Sequence, residues 1–152
     1  IADRYPDWSI VFAGNGEIEE GKALASQLGI AKQTVFLGWV RGEEKDKAFK
    51  EASIFCLPSY AEGFPMGVLD AWAYGLPVIT TPVGGIPDIA IDGKNCLLFN
   101  PGDVDILAKQ MDKMMSSEEL RKLVASESNE LAKGIFSVEK VTERLENIYQ
   151  NL

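Results

Sequence analysis

The sequence predicts an α/β domain built on a parallel sheet with helices on its faces. Three observations carry this. Short apolar runs of strand character alternate with helical patterns as far as Phe99, and Gly and Pro punctuate the joins. The 152 residues, 46% hydrophobic and 25% charged, suit one globular domain able to bury its own core. Alternation of this kind implies parallel strands joined by right-handed crossovers, a Rossmann-like arrangement that holds ligands at the carboxyl ends of the strands.

Each element has a local reason. Residues 9–13 read as a strand, residues 18–28 as a helix closed by Gly29, and residues 34–37 as a second strand. Residues 43–52 are helical, with Ala48, Phe49 and Ala52 forming a short apolar face. Residues 53–57 make a third strand, ended by Pro58. An apolar helix then begins at Pro65 or Met66 and stops at Gly75, with Pro77 behind it as a breaker. Residues 78–80 form a fourth strand, residues 87–91 a short helical turn, and residues 95–99 a fifth strand. Three helices follow, near 104–115, 118–133 and 138–150. No internal repeat, low-complexity tract or long linker interrupts this order.

Charge and composition exclude several classes of function. Fifteen basic against 23 acidic side chains give a formal charge of −8, which disfavours nucleic acid and anionic membranes as partners. No apolar run approaches the roughly 20 residues needed to span a bilayer, and no signal peptide is visible, so a cytoplasmic location is expected. The absence of histidine removes a histidine metal site, a Ser-His-Asp triad and a Cys-His pair. Cys56 and Cys96 each fall inside an expected strand and read as buried free thiols, with another strand between them.

The chemistry concentrates in residues 58–79, Pro-Ser-Tyr-Ala-Glu-Gly-Phe-Pro-Met-Gly-Val-Leu-Asp-Ala-Trp-Ala-Tyr-Gly-Leu-Pro-Val-Ile. Glu62 sits in a loop, and Asp70 lies one turn into the following helix, roughly 6 Å along its axis from Met66. The first amides of a helix lack internal partners and favour an anion such as a phosphate. Gly63 and Gly67, without a Cβ, let a ligand come close to the backbone. Carboxylates beside a phosphate would repel it, so these two acids must face hydrogen-bond donors, and sugar hydroxyls fit. A ligand with phosphates in the middle and a polyol at each end satisfies all of these groups together.

At these residues the chain resembles retaining glycosyltransferases of GT-B fold, the family 4 or group 1 type. Glu62 to Asp70 is similar to that family's pair of acids separated by seven residues. Similarity continues at Ile10-Val11-Phe12-Ala13-Gly14-Asn15-Gly16, Val35-Phe36-Leu37-Gly38, Gly84-Gly85-Ile86-Pro87-Asp88 and residues 93–103. The resemblance implies the C-terminal, donor-binding half of a GT-B fold. It further implies transfer of a sugar from a nucleoside diphosphate sugar to an acceptor hydroxyl with retention, and no metal or other cofactor. Glu62 would be the catalytic residue, positioning the sugar through its hydroxyls. Gly14, Gly16, Glu62, Gly63, Phe64, Pro65, Met66, Gly67 and Asp70 would bind the donor, with Asp70 standing where the family usually carries Glu.

The resemblance also implies further parts. In that family a strand precedes the one at residues 9–13, and its turn supplies an Arg and a Lys for the donor phosphates; the chain is expected to lack this first strand, the basic pair and the N-terminal acceptor domain. In a doubly wound order of 3-2-1-4-5-6 the first strand is central, so the strands at residues 9–13 and 53–57 are expected to have open edges that favour self-association.

Competing readings attach to single motifs. Gly14-Asn15-Gly16 after a strand suggests a dinucleotide turn, but the third glycine of that fingerprint would fall at Glu19. Trp39 and Arg41 read as packed surface residues, and Lys94 and Asp103 as solvated ones. A Rossmann-like module that binds a nucleotide or protein without turnover, and a nucleotide-sugar epimerase of the same fold, are the alternatives for the whole. A phosphorylase would need a lysine-held pyridoxal phosphate, for which the sequence gives no local case.

Overall fold

A computed structural model of the protein describes residues 1–151. The chain divides into two compact units, residues 1–50 and the residues from 51 on. In the first unit, β1 (Ile10–Ala13) pairs in parallel with β2 (Thr34–Gly38), and α1 (Ile18–Gln27) makes the crossover between them. Phe12 and Phe36, opposite each other in register, stack with ring centroids 5.0 Å apart. A Cβ on Gly21 would stand 2.7 Å from the Phe36 ring, so glycine is what lets α1 lie on this pair. The Gln33 amide donates to the carbonyls of Tyr5 and Trp8 at 2.9 and 3.1 Å and ties the first residues to the start of β2. α2 (Glu43–Glu51) follows. Trp39 is 67% exposed, so it is not the packed surface residue expected of it.

In the second unit, β3 (Phe55–Leu57), β4 (Val78–Thr80) and β5 (Leu97–Leu98) form a parallel sheet in the order β3-β4-β5. β4 is buried throughout, as suits the β-branched Val78, Ile79 and Thr80 of a central strand covered on both faces. Between β3 and β4 stands α3 (Met66–Ala73), with Val68, Ala71 and Trp72 buried. The core gathers Ile79 and Leu97 of the sheet, Phe99, Met114 of α4 (Val104–Ser116) and Val124 of α5 (Glu118–Lys133). Asn129 on α5 donates to the Trp72 carbonyl at 2.8 Å and so ties α5 to the C-terminal end of α3. The last helix, α6 (Val138–Gln150), is exposed along its whole length, including the apolar stripe of Val138, Val141, Leu145 and Ile148.

Side chains cap the late helices. Asp103, expected to be solvated, accepts from the Ile106 amide at 3.0 Å as the N-cap of α4. Ser117 and Ser137 cap α5 and α6 in the same way. Lys94 lies 3.5 Å from Glu127 across a solvent-facing ion pair. The fifth strand is shorter than residues 95–99. A turn at Gly93, with φ at +74°, brings the Gly93 amide to the Cys96 carbonyl, and the Asp92 carboxylate takes the Leu98 amide at 2.8 Å. Side-chain bonds thus replace ladder bonds, and Cys96 falls in an isolated bridge to Asp92 outside β5. Both cysteines are free, with β4 between Cys56 on β3 and the segment of Cys96.

The sheets are parallel and flanked by helices, as the alternation predicts. Among the described residues β1 has β2 as its one strand partner, and β3 has β4. No helix among the described residues is long and apolar enough to cross a membrane.

Candidate active site

The site in the second unit is the loop between β3 and α3, and it is held from three directions. Thr80, at the end of β4, donates through its hydroxyl to the Leu57 carbonyl at 3.1 Å. Thr81, fully buried, donates to the Ser59 carbonyl at 2.6 Å. These two bonds carry the β3–β4 pairing two residues past the point where Pro58 ends the strand. From the other side the Gly85 amide donates to the Gly63 carbonyl at 3.0 Å. Gly84 packs so closely on the Glu62–Gly63 peptide that no side chain fits there, and its φ of +59° suits glycine independently.

Within this frame the Glu62 carboxylate is half-buried and accepts from the Ser59 hydroxyl at 2.5 Å. A bond this short to a carboxylate is of the charge-assisted kind. It engages Oε1 and leaves the second oxygen to other donors. Gly63 has open space where a Cβ would point. Phe64 and Met66 are 55% and 60% exposed on either side of buried Pro65, the residue that precedes the first turn of α3.

The start of α3 differs in part from the expectation. The Met66 amide already donates to the Phe64 carbonyl at 2.9 Å, and those of Val68 and Leu69 donate to the Pro65 carbonyl at 2.9 and 3.3 Å. Gly67 carries the remaining one of the first four amides. Its missing side chain also serves packing, since a Cβ there would stand 3.2 Å from the Phe55 ring of β3. Asp70 is half-buried, the fifth residue of the helix, past the first turn in which a carboxylate gains most from the helix dipole. Gly14 and Gly16 belong to the first unit, in the turn from β1 to α1. There Gly14 has φ at +147° and its amide donates to the Gly38 carbonyl at 2.7 Å.

Two residues of this site, Ser59 and Thr81, were not marked as site residues by the sequence. The available signals were Ser three residues before the loop acid and a Thr pair ending an apolar strand. Neither pattern indicates a long-range bond, because the contacts from Thr80 and Thr81 span 23 and 22 residues.

A parallel α/β unit with a carboxylate fixed between strand end and helix start is the ligand-binding layout of a Rossmann-like domain. Comparison with known proteins defines the class further. The family described as glycosyl transferases group 1 matches residues 1–150, and the chain belongs to that family. Among curated relatives, the sulfoquinovosyl transferase SQD2 of Arabidopsis thaliana is 32% identical over 133 residues, 86% of this chain and 26% of the relative. A solved C-terminal domain of the group 1 glycosyl transferase LpcC from Francisella tularensis superposes with a TM-score of 0.81 at 27% identity, covering 90% of this chain and 74% of that one. The Anabaena protein HepE, solved in complex with UDP, gives a TM-score of 0.88 at 19% identity over 97% of this chain and 42% of that one. HepE has also been solved with UDP-glucose. These neighbours place the fold among GT-B glycosyltransferases. The chain spans between about a quarter and two fifths of the length of the first curated relatives it matches.

Proposed function

We propose that the whole protein is a retaining glycosyltransferase that moves a sugar from a nucleoside diphosphate sugar to an acceptor hydroxyl, and that this chain is its donor-binding part. The observation that carries the reading is the Glu62 carboxylate, fixed by Ser59 on a loop clamped by Gly84 and Gly85. A carboxylate whose second oxygen remains for a donor, on a loop rimmed by exposed Phe64 and Met66, suits the hydroxyls of a sugar. The acceptor would be held by the N-terminal domain of the same protein, and a nucleotide-sugar donor fits a cytoplasmic location.

In this reaction the bond from the anomeric carbon to the diphosphate breaks, so negative charge grows on the leaving nucleoside diphosphate. Donors already aimed at that position lower the barrier most. The Gly67 amide is the helix-start group left to do this, and the partial positive charge of the first turn of α3 adds to it. Glu62 holds the sugar so that the acceptor hydroxyl meets the anomeric carbon on the retained face. Its role is orientation, which converts a loose encounter into a reactive one. Asp70 reaches the donor nucleotide through ribose hydroxyls.

The test uses the full-length protein with UDP and UDP-glucose as probes, chosen because a neighbour of the same fold holds both. Glu62→Ala is expected to abolish sugar transfer while leaving UDP binding nearly unchanged in calorimetric titration. Equal loss of UDP and UDP-glucose affinity would remove Glu62 from the sugar and the proposal with it.

A further inference from the structure

We propose that Ser59 and Thr81 are positioning residues that set the Glu62 carboxylate in a single orientation, so that one oxygen, and one only, is offered to the donor sugar. This rests on the assignment of Glu62 to the sugar. Three bonded groups make a relay. The buried Thr81 hydroxyl donates to the Ser59 carbonyl at 2.6 Å, and the Ser59 hydroxyl donates to Glu62 Oε1 at 2.5 Å. Thr81 follows directly on β4, the buried central strand of the sheet, so the relay is anchored to a fully buried segment of this unit.

The need for such a device follows from the side chain. A Glu on a loop has three side-chain torsions, and freezing them costs conformational entropy that a binding site must otherwise meet when the ligand arrives. Ser59 meets it in advance. The backbone at Glu62 and Gly63 is fixed separately, by the bond from Gly85 and the close packing of Gly84. The backbone clamp and the Ser59–Glu62 bond are therefore distinct, and removing the Ser59 hydroxyl leaves the loop in place. Thr81 acts one step further back, since without its bond the Ser59 carbonyl, and with it the direction of the Ser59 hydroxyl, loses its anchor.

The proposal separates ligands that carry the sugar from ligands that do not. In the full-length protein, Ser59→Ala is expected to lower kcat for transfer and affinity for UDP-glucose by about tenfold, equivalent to about 1.4 kcal/mol, with UDP affinity within about twofold of wild type. Thr81→Val is expected to act in the same direction, and Thr81→Ser, which keeps the hydroxyl, to recover most of the loss. Ser59→Thr is expected to recover it likewise. A purely structural role would lower UDP and UDP-glucose affinity together, and that result overturns the proposal. If Glu62→Ala abolishes transfer but Ser59→Ala and Thr81→Val turn over like wild type, the relay is refuted while the assignment of Glu62 stands. If Glu62→Ala is itself active, the assignment fails and the relay loses its object.

Discussion

A Cβ on Gly84 would stand 2.1 Å from the carbonyl oxygen of Glu62 and 2.6 Å from its carbonyl carbon. No real contact is so short, so the two backbones meet only because Gly84 is glycine. Its neighbour Gly85 has φ at −79°, and a Cβ there would lie 3.3 Å from the Gly63 carbonyl. One glycine is obligatory and the next is tolerant.

Gly84→Ala is therefore expected to be far more damaging than Gly85→Ala. The left-handed backbone alone costs about 1 to 2 kcal/mol, and displacing a packed peptide adds about 1 to 3 kcal/mol. Because the displaced peptide carries Glu62, transfer should fall by more than the stability change explains. Urea denaturation and a transfer assay on both variants check this. Equal effects at the two positions would mean that the loop moves aside freely.

The sequence and the structure agree best where periodicity is strong. α5 and β4 lie at the residues read from the sequence, because a long amphipathic run and a short β-branched one behind Pro77 leave little choice. β5 was misjudged because Asp92 and Gly93 satisfy backbone groups locally, which no apolar pattern reveals. Glu62 and Asp70 were legible as candidates because they stand at a loop-to-helix junction marked by Pro and Gly. What holds Glu62 was not. Thr81 and Gly84 lie 19 and 22 residues further along the chain, and only the fold brings them to the loop. That Gly67 also packs on Phe55 is likewise beyond the sequence pattern, because only the fold brings β3 beneath it.

Asp70 gives a second prediction. At the fifth helical position it gains little from the helix dipole, so the dipole alone does not account for its place in the motif. If it accepts from ribose hydroxyls, Asp70→Ala should weaken UDP binding in the full-length protein by about 1.5 to 3 kcal/mol, the range for a hydrogen bond to a charged group. Asp70→Glu, one methylene longer, should bind nearly as well. Unchanged UDP affinity in Asp70→Ala, measured by calorimetry, would leave the residue without a part in the site.

The two thiols set an alkaline limit to stability. Burial pushes the Cys56 thiol from its ordinary 9.0 up to about 12. Burial does the same at Cys96, to about 12, where the Asp92 carboxylate adds to the effect and a backbone hydrogen bond from Ile91 opposes it. Both folded-state values lie above the unfolded one. Their contribution is thus fully present below about pH 9, where both states hold the proton. It is lost as pH rises toward 12, because the unfolded chain ionises first and binds fewer protons. Urea midpoints should therefore hold steady from about pH 7 to 9 and then fall, more steeply in the wild-type protein than in a Cys56→Ala, Cys96→Ala variant. Lysine and tyrosine ionisation is common to both proteins and cancels in the comparison, and the cavity left by the substitutions lowers the variant's curve by the same amount at every pH. Parallel curves up to about pH 11 would show that both thiols ionise in the folded state as readily as in the unfolded one.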